Sequence, residues 1–332
     1  MMSKKKAIVS ARYVQAELGI RLAREVQSFH ELPYCLVCSP HVKQVFDLYL
    51  MAFKTLTNLP EIDSAELEEQ FSSSLANLVD SFSGVVYILA EGISEAVESG
   101  KIPPEFLNVQ KFMDRFVINR IARRVLAEQH LVLRKNLYSV DFTGVLVEKC
   151  GVMKCIQEAM DVLTEECKSY YGFIPTISVD GDLKATIPYI EQHLVYILLE
   201  LLSNSVSAVY EKHKDKLPNV PKIDIFIATG TRTVTIRISD RGGGIPLHIK
   251  ERAFQYGFST RRKPDLIIDP VGMKGSRAHG MEPIGRGFGL PLARLYAKHF
   301  GGDLRIESLD GYGTDLILTL DRTGDVLENF EL

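Results

Sequence analysis

Apolar residues recur every three or four positions in the first part of the chain, a spacing that places them on one face of a helix. Within residues 12–29 this pattern runs through Val14, Leu18 and Leu22, and it ends before Pro33. The pattern, with the proline and glycine residues that interrupt it, predicts helices over 12–29, 41–56, 64–99 and 104–135. Four long helices with short connections predict a four-helix bundle as an N-terminal domain, residues 1–140.

The pattern changes after about residue 139. Apolar and polar residues alternate over 223–228 and 233–239, as in the two strands of a hairpin. A second pair of strands is predicted at 304–309 and 314–320, and helices are predicted at 193–214 and 290–300. The predicted fold is therefore α + α/β, in which an α/β sandwich with a mostly antiparallel sheet occupies residues 141–332.

Composition narrows the functional classes. The 332 residues are 46% hydrophobic and 24% charged, with a formal net charge of −3, which is typical of a soluble globular protein and does not indicate a nucleic-acid partner. Apolar runs such as 195–202 are shorter than the roughly 20 residues of a membrane span, so no membrane association is expected. The first residues carry Lys4, Lys5, Lys6 and Arg12 but no acid, which fits either the remnant of an organelle-targeting leader or a solvated chain end.

The five cysteines do not form a disulfide framework. Cys35 and Cys38 are spaced as C-x-x-C, but no second pair and no nearby histidine completes a zinc site. Buried free thiols in a reducing compartment are the expected state of all five.

The predicted helix at 193–214 carries Glu200 and Asn204 four residues apart, so both side chains emerge on one face. An amide oxygen suits Mg²⁺, and a carboxylate one turn away can act as a base. The alternative is a helix whose polar edge faces solvent.

Asp240 follows a predicted strand and precedes Gly242, Gly243 and Gly244. A carboxylate there can accept a hydrogen bond from an adenine amino group, while glycine allows the base to approach the backbone. The alternative is an ordinary turn.

Gly285, Gly287 and Gly289 lie immediately before a predicted helix, where free N–H groups and the helix dipole attract phosphate. The spacing is neither the dinucleotide fingerprint nor a Walker A loop. The preceding residues 260–285 have no regular period, so they are interpreted as a lid rather than a disordered connection.

Together these three segments, with Gly311 to Asp315 after them, resemble the N, G1 and G2 boxes of the GHKL superfamily (gyrase, heat-shock chaperone, histidine kinase, mismatch repair). The resemblance implies an ATP site.

The helical half also resembles that of the mitochondrial 2-oxoacid dehydrogenase kinases. The matching residues include Arg12-Tyr13-Val14, Asp47-Leu48-Tyr49, Leu89 to Gly92 and Arg123-Arg124. The resemblance implies a helical regulatory domain followed by a kinase domain, a location in the mitochondrial matrix, and a homodimer. It also implies that the protein phosphorylates a serine of the decarboxylase component, inactivates it, and binds the lipoyl-bearing core of the complex.

Within that family the chain is most similar to the branched-chain 2-oxoacid dehydrogenase kinase. Asn219-Val220-Pro221, the run 236–245 and Tyr196 resemble it, and the chain contains no Trp. The short, basic lid at Arg261 to Lys263 departs from the family pattern. The alternatives are a pyruvate dehydrogenase kinase, a histidine kinase that uses His130, and an ATP-binding scaffold without catalytic activity.

The resemblance assigns roles by position. Glu200 would be the general base and Asn204 the Mg²⁺ ligand. The residues expected to line ATP are Asn204, Ser207, Asp240, Gly242, Gly244, Ser259, Thr260, Gly285, Arg286, Gly287, Phe288, Gly289, Leu290 and Thr314. A K⁺ ion would be held by the carbonyls of Ala253, Gln255, Phe258 and Gly287, and Arg124 with His130 would belong to a pocket for a 2-oxoacid effector.

Overall fold

The structure is a computed structural model that describes residues 2–82, 84–101, 107–135, 145–260 and 287–322. These residues divide in sequence into two compact units, one ending at Val145 and the other beginning at Leu146. The predicted domain boundary at residue 140, most of the predicted lid, and the site residues Gly285 and Arg286 lie outside the described residues.

The first unit is helical. Its helices are α1 (Met2–Ser28), α2 (Tyr34–Val37), α3 (Pro40–Thr57), α4 (Ala65–Ser81), α5 (Val85–Glu98) and α6 (Leu107–Lys135). Pro40 occupies the first position of α3, where its missing N–H is not needed, and the Ser64 hydroxyl caps α4 by accepting a hydrogen bond from the N–H of Leu67.

The single helix predicted over 64–99 is wrong, because α4 and α5 are separate helices. Gly84 precedes α5 with a φ of 79°, in the left-handed region that glycine adopts without a steric penalty and that a continuous helix excludes. The apolar spacing continues on both sides of this glycine and therefore hid the interruption.

The core of the helical unit is aromatic. The ring of Phe29 lies 5.4 Å from that of Phe112 and 6.0 Å from that of Phe116, in edge-to-face contacts that join the end of α1 to α6. A buried ion pair lies nearby: Arg123 Nη1 donates to Glu25 Oε2 at 2.6 Å, and Arg123 Nη2 donates to the Tyr49 hydroxyl at 2.9 Å. This pair ties α1, α3 and α6 together.

The second unit contains the sheets. Its elements are β1 (Val147–Gly151), α7 (Val152–Tyr171), β2 (Ile177–Gly181), β3 (Thr186–Tyr189), α8 (Glu191–His213), β4 (Ile223–Thr229), β5 (Thr233–Ser239), α9 (Leu247–Lys250), α10 (Gly289–His299), β6 (Asp303–Leu309) and β7 (Gly313–Asp321). Short 3₁₀ helices follow α1, α8 and α9.

The main sheet has five strands in the order β2-β4-β5-β7-β6. Both predicted hairpins are confirmed as the antiparallel pairs β4–β5 and β6–β7, and only the edge pair β2–β4 is parallel. Strands β1 and β3 form a separate two-stranded antiparallel sheet. In β4 the side chains of Ile223, Ile225 and Ile227 are buried while Phe226 is exposed, so one face of the sheet is in the core.

By length and composition alone, two helical stretches of the described chain are apolar enough to cross a membrane. One, Glu191–Lys216, contains α8, and 78% of its apolar window is buried inside the unit, as in the core helix of a soluble protein. The other, Ala65–Val97, spans α4 and α5, and 29% of its window is buried.

All five cysteines are free thiols. Cys150, Cys155 and Cys167 are buried as predicted, but Cys38 is exposed and Cys35 is half-buried, so the prediction of burial is wrong for the C-x-x-C pair. Both lie at the short helix α2, where the sequence contains too few residues to show which face is covered.

Candidate functional site

Helix α8 presents Glu200 and Asn204 on one face, as the sequence predicts. Glu200 is only 8% exposed, whereas Asn204 is half-buried. The amide nitrogen of Asn204 donates to the main-chain oxygen of Glu200 at 2.8 Å. This hydrogen bond fixes the orientation of the amide one turn beyond the carboxylate.

The carboxylate of Glu200 lies directly against the first residue of α10. A Cβ atom built on Gly289 would lie 2.1 Å from Glu200 Oε2 and 2.9 Å from its carboxyl carbon. The start of α10 and the face of α8 that carries Glu200 are therefore brought together, although 88 residues lie between Glu200 and Gly289 in the sequence.

Asp240 follows the end of β5 and is 4% exposed. Its Oδ1 accepts a hydrogen bond from the N–H of Gly242 at 2.8 Å, and its own N–H donates to the main-chain oxygen of Thr314 at 2.9 Å. Burial raises the pKa of this carboxyl, and main-chain hydrogen bonds from Gly242 and Thr314, with the Ser205 hydroxyl, oppose that shift. The result is a buried carboxyl group held by main-chain donors at the end of the central strand β5.

The glycines after Asp240 are required by close packing. A Cβ on Gly242 would lie 2.4 Å from the Cβ of Ala208 on α8. Gly244 has a φ of 75°, and a Cβ there would lie 2.1 Å from the oxygen of Leu309 in the β6–β7 turn. This loop is therefore wedged between α8 and that turn, which places Asp240 beside the helix that carries Glu200 and Asn204.

Ser207 does not face Glu200, Asn204 and Asp240. Its hydroxyl donates to the oxygen of Ser203 at 2.8 Å and accepts from the Tyr171 hydroxyl at 3.1 Å, toward α7. Ser205, which the sequence pattern did not indicate, has a buried hydroxyl that lowers the pKa of Asp240 without a hydrogen bond of ordinary geometry to it. Nothing in the spacing of the serines distinguishes the two, because the difference depends on how α8 packs against its neighbours.

Thr314 supports the Asp240 loop. It is 8% exposed, and its hydroxyl lies 3.0 Å from that of Ser308. Ser308 in turn accepts a hydrogen bond from the N–H of Ile245, so β6 and β7 hold both ends of the glycine loop.

Of the four residues whose carbonyls are expected around K⁺, Gly287 and Phe258 lie against each other. Gly287 has a φ of 85°, and a Cβ there would lie 2.2 Å from the oxygen of Phe258. The carbonyl of Gln255 accepts from the N–H of Phe258 at 3.2 Å. Ala253 lies one turn earlier, in the 3₁₀ helix Glu251–Phe254.

The remaining residues expected to line the nucleotide lie on both sides of the undescribed segment. Ser259 and Thr260 follow Phe258, while Phe288 and Leu290 flank Gly289. The side chain of Phe288 is fully buried, with its ring 5.6 Å from that of Tyr256, so only its backbone can reach a ligand. In the described ranges, no group of three or more His, Cys, Asp or Glu side chains is arranged to hold a metal ion.

The predicted effector residues lie in the helical unit but not around one cavity. Arg124 lines a cavity of about 40 Å³, together with Leu18, Leu22, Tyr49, Leu56, Leu75, Leu78, Val79, Phe82, Arg120, Arg123 and Ala127. His130 does not line that cavity. It is 2% exposed, with Nδ1 2.9 Å from the Ser10 hydroxyl and Nε2 3.0 Å from the Ser72 hydroxyl.

Two family models match the chain. The model described as mitochondrial branched-chain alpha-ketoacid dehydrogenase kinase matches residues 1–174, and the model described as histidine kinase-, DNA gyrase B- and HSP90-like ATPase matches residues 189–324. The second match contains α8, the Asp240 loop and α10.

Whole-chain relatives agree with these models. The mitochondrial pyruvate dehydrogenase (acetyl-transferring) kinase of Arabidopsis thaliana is 36% identical over 97% of this chain and 87% of its own length. Isozyme 4 of Homo sapiens is 34% identical over 94% of this chain and 76% of its own, and isozyme 3 of Mus musculus is 32% identical over the same shares. Among solved structures, the mycobacterial sensor histidine kinase MprB is 16% identical, with a TM-score of 0.39 over 52% of this chain and 96% of its own.

The predicted fold class, kinase activity and mitochondrial localisation are confirmed by these matches. The chain belongs to the mitochondrial 2-oxoacid dehydrogenase kinases, which are protein kinases of the GHKL superfamily.

Proposed function

We propose that the protein transfers the γ-phosphoryl group of ATP to a serine of the decarboxylase component of a 2-oxoacid dehydrogenase complex and thereby inactivates it. The observation that carries the proposal is that three segments distant in sequence meet at α8, which is itself one of them. Glu200 and Asn204 lie on the helix itself, Gly289 lies against Glu200, and the Asp240 loop is wedged against Ala208.

The nucleotide would bind through backbone and one carboxylate. The Asp240 carboxylate would accept a hydrogen bond from the adenine amino group, and the close packing of Gly242 leaves no side chain in the way. The main-chain N–H groups at Gly287 to Leu290, where α10 begins, would bind the phosphates. These contacts would orient ATP, and the protein would form no covalent bond with it. Phosphoryl transfer requires mainly such positioning and the neutralisation of charge.

The metal would be held with few protein ligands. Magnesium commonly takes one or two protein oxygens together with phosphate and water, and the Asn204 amide, oriented by its bond to Glu200, fits that role. When bound, Mg²⁺ neutralises charge on the phosphate oxygens. The carbonyl of Phe258 and the backbone of Gly287, which touch, would form part of a K⁺ site with Ala253 and Gln255.

Glu200 would act as the general base. Its carboxylate accepts the proton of the serine hydroxyl as the oxygen attacks the phosphorus, one helical turn from the proposed metal ligand. Burial of Glu200 excludes competing water, and the backbone of Gly289 limits where the carboxylate can move.

The substrate is proposed to be the pyruvate decarboxylase component. Relatives that cover 94–97% of the chain are named pyruvate dehydrogenase kinases, whereas the branched-chain name belongs to a model that matches residues 1–174. The branched-chain component is the second candidate, favoured by that model and by Tyr196, one turn before Glu200. The lipoyl-bearing core as a partner and the homodimer rest on the family resemblance.

The cavity of the helical unit has a volume of about 40 Å³, enough for about three water molecules or part of a small acid. Its surface is almost wholly apolar, because Arg123 bonds to Glu25 and Arg124 bonds to Glu128. We propose that Arg124 binds the carboxylate of a 2-oxoacid in place of Glu128, whereas His130 lies outside the lining. His130 instead joins α1, α4 and α6 through Ser10 and Ser72.

The test is transfer of label from γ-labelled ATP, with Mg²⁺, to each purified decarboxylase component separately. We expect acid-stable phosphoserine on the pyruvate component. Glu200→Gln should lower the rate by about 10²- to 10⁴-fold, the usual contribution of a general base. Glu211→Gln, an exposed substitution farther along α8, is the matched control and should retain the full rate.

Other outcomes select other functions. Label on the branched-chain component alone would keep the mechanism and change the substrate. Acid-labile label on His130 would support a histidine kinase, although that side chain is buried between two hydroxyls. Binding of ATP without any transfer would support the scaffold.

A further inference from the structure

Helices α8 and α10 contact each other along one continuous seam. At one end the ring of Tyr296 on α10 lies 4.8 Å from that of His193 and 5.3 Å from that of Tyr196 on α8. At the other end Gly289 lies against Glu200. Residues 289 and 296 are two turns apart, as are 193 and 200, so the helices run antiparallel and the seam ends at the proposed catalytic base.

The aromatic end of the seam is fixed from a third side. The Tyr189 hydroxyl, at the end of β3, donates to the main-chain oxygen of Tyr296 at 2.9 Å, and both residues are buried. Helix α10 is therefore held at Tyr296 by both α8 and β3, two turns from Gly289.

At the other end of the seam, the close contact with Glu200 is possible because residue 289 is a glycine and has no side chain. The nearest atoms to a Cβ on Gly289 are all in the Glu200 carboxyl group, at 2.1, 2.9 and 3.7 Å. A Cβ atom essentially never lies within 3.0 Å of a non-bonded heavy atom, so a methyl group at 289 must displace this carboxylate or the helix. Since α10 is anchored by Tyr296, the carboxylate is the part that moves.

We propose that Gly289 is a positioning residue for phosphoryl transfer, because its Cα surface and the start of α10 hold the carboxylate of Glu200 where it meets the serine hydroxyl. The partial positive charge at the N-terminus of α10 attracts the carboxylate to the same place. This role is separate from any contact of the glycine backbone with phosphate. It rests on the proposed function of Glu200 as base.

The first test is Gly289→Ala, assayed for kcat, for KM of the protein substrate and for ATP affinity by calorimetry. A displacement of about 1 Å costs on the order of 10²-fold in rate, so kcat should fall by about that factor while ATP affinity changes by less than about threefold. Gly230→Ala is the matched control, since a Cβ there meets its first neighbours at 3.4 and 3.7 Å, which is ordinary contact.

The second test is rescue by a shorter acid. Glu200→Asp withdraws the carboxylate by one C–C bond, about 1.5 Å, and should itself lower kcat. In that background the methyl group of Gly289→Ala has room, so the double variant should have the kcat of Glu200→Asp within about threefold. Two independent losses would multiply instead.

The outcomes separate this inference from the proposed function. If the wild-type protein transfers no phosphate, the proposed function fails. If wild type is active and Gly289→Ala keeps at least half of its kcat, the positioning role is wrong. It is also wrong if ATP affinity falls as much as kcat, or if the double variant shows the product of both losses; circular dichroism melting confirms that each variant is folded.

Discussion

The most informative single substitution in the nucleotide site is Asp240→Asn, because it removes one acceptor and nearly preserves the shape. In the structure Oδ1 of Asp240 accepts the N–H of Gly242 at 2.8 Å. An asparagine has one acceptor oxygen, and if that oxygen keeps the bond to Gly242, its NH₂ group turns toward the proposed position of the adenine amino group. Two donors then face each other.

The expected magnitude follows from that lost hydrogen bond. A hydrogen bond to a charged group contributes about 1.5–3 kcal/mol. At tenfold per 1.4 kcal/mol, Asp240→Asn should raise the Kd for Mg-ATP by about 10- to 100-fold. Inosine triphosphate carries an oxygen where ATP carries the amino group, so the variant should bind it better than wild type does.

The assay is calorimetric titration of wild type and variant with both nucleotides at one pH. Asp161→Asn is the matched control, because Asp161 lies on the exposed face of α7, where it accepts a hydrogen bond from the side chain of Gln157. Unchanged ATP affinity in Asp240→Asn, with no gain for inosine triphosphate, would refute adenine recognition by this carboxylate. Because burial raises the pKa of Asp240, this carboxylate is protonated as the pH is lowered, at a pH above the ordinary range of an aspartate. ATP affinity should therefore begin to fall at that pH.

Three further predictions concern the stability and exposure of other groups. Glu25→Gln leaves the buried guanidinium of Arg123 without its carboxylate and should destabilise the helical unit by about 3–5 kcal/mol. Glu17→Gln, at the partly exposed pair with Arg21, is the control and should destabilise it by less than about 1 kcal/mol. Both values are measured by urea titration followed by circular dichroism. Burial lowers the pKa of His130 below its ordinary 6.5; the charge of Arg134 adds to this shift and that of Glu68 opposes it. Because the histidine of the unfolded chain therefore takes up its proton at a higher pH, the stability of the folded protein should fall as the pH drops below 6.5. In melting curves measured across this pH range, His130→Gln should flatten the dependence. Maleimide should label Cys38 in the native protein and reach Cys150, Cys155 and Cys167 only after unfolding, as mass spectrometry of the peptides can show.

Local patterns predicted much of the fold. The alternation at 223–228 and 233–239 corresponds to β4 (Ile223–Thr229) and β5 (Thr233–Ser239), because each strand has one buried face and one exposed face. Helix α8 was predicted because its apolar face is long and its acidic pair lies at helical spacing. The parallel pairing of β2 with β4 was not predicted, since β2 shows no alternation of buried and exposed residues.

Tertiary packing decides what the sequence could not predict. The contact of Gly289 with Glu200 joins residues 89 positions apart and leaves no trace in local spacing. Ser205 and Ser207 are alike in sequence, yet the hydroxyl of Ser205 affects the pKa of Asp240 while that of Ser207 bonds to Ser203 and Tyr171. The exposure of Cys38 likewise depends on which face of the short helix α2 is covered.

The central claim is that Glu200 and Asn204 on α8 perform ATP-dependent phosphoryl transfer that inactivates a 2-oxoacid decarboxylase. The most direct measurement follows the activity of the purified pyruvate decarboxylase component during incubation with Mg-ATP and either wild-type protein, Asn204→Ala or the control Glu211→Gln. We expect progressive loss of decarboxylase activity with wild type and Glu211→Gln, in step with phosphoserine formation, and no loss with Asn204→Ala. Equal inactivation by Asn204→Ala, or full decarboxylase activity with every form on both the pyruvate and the branched-chain component, would contradict the central claim.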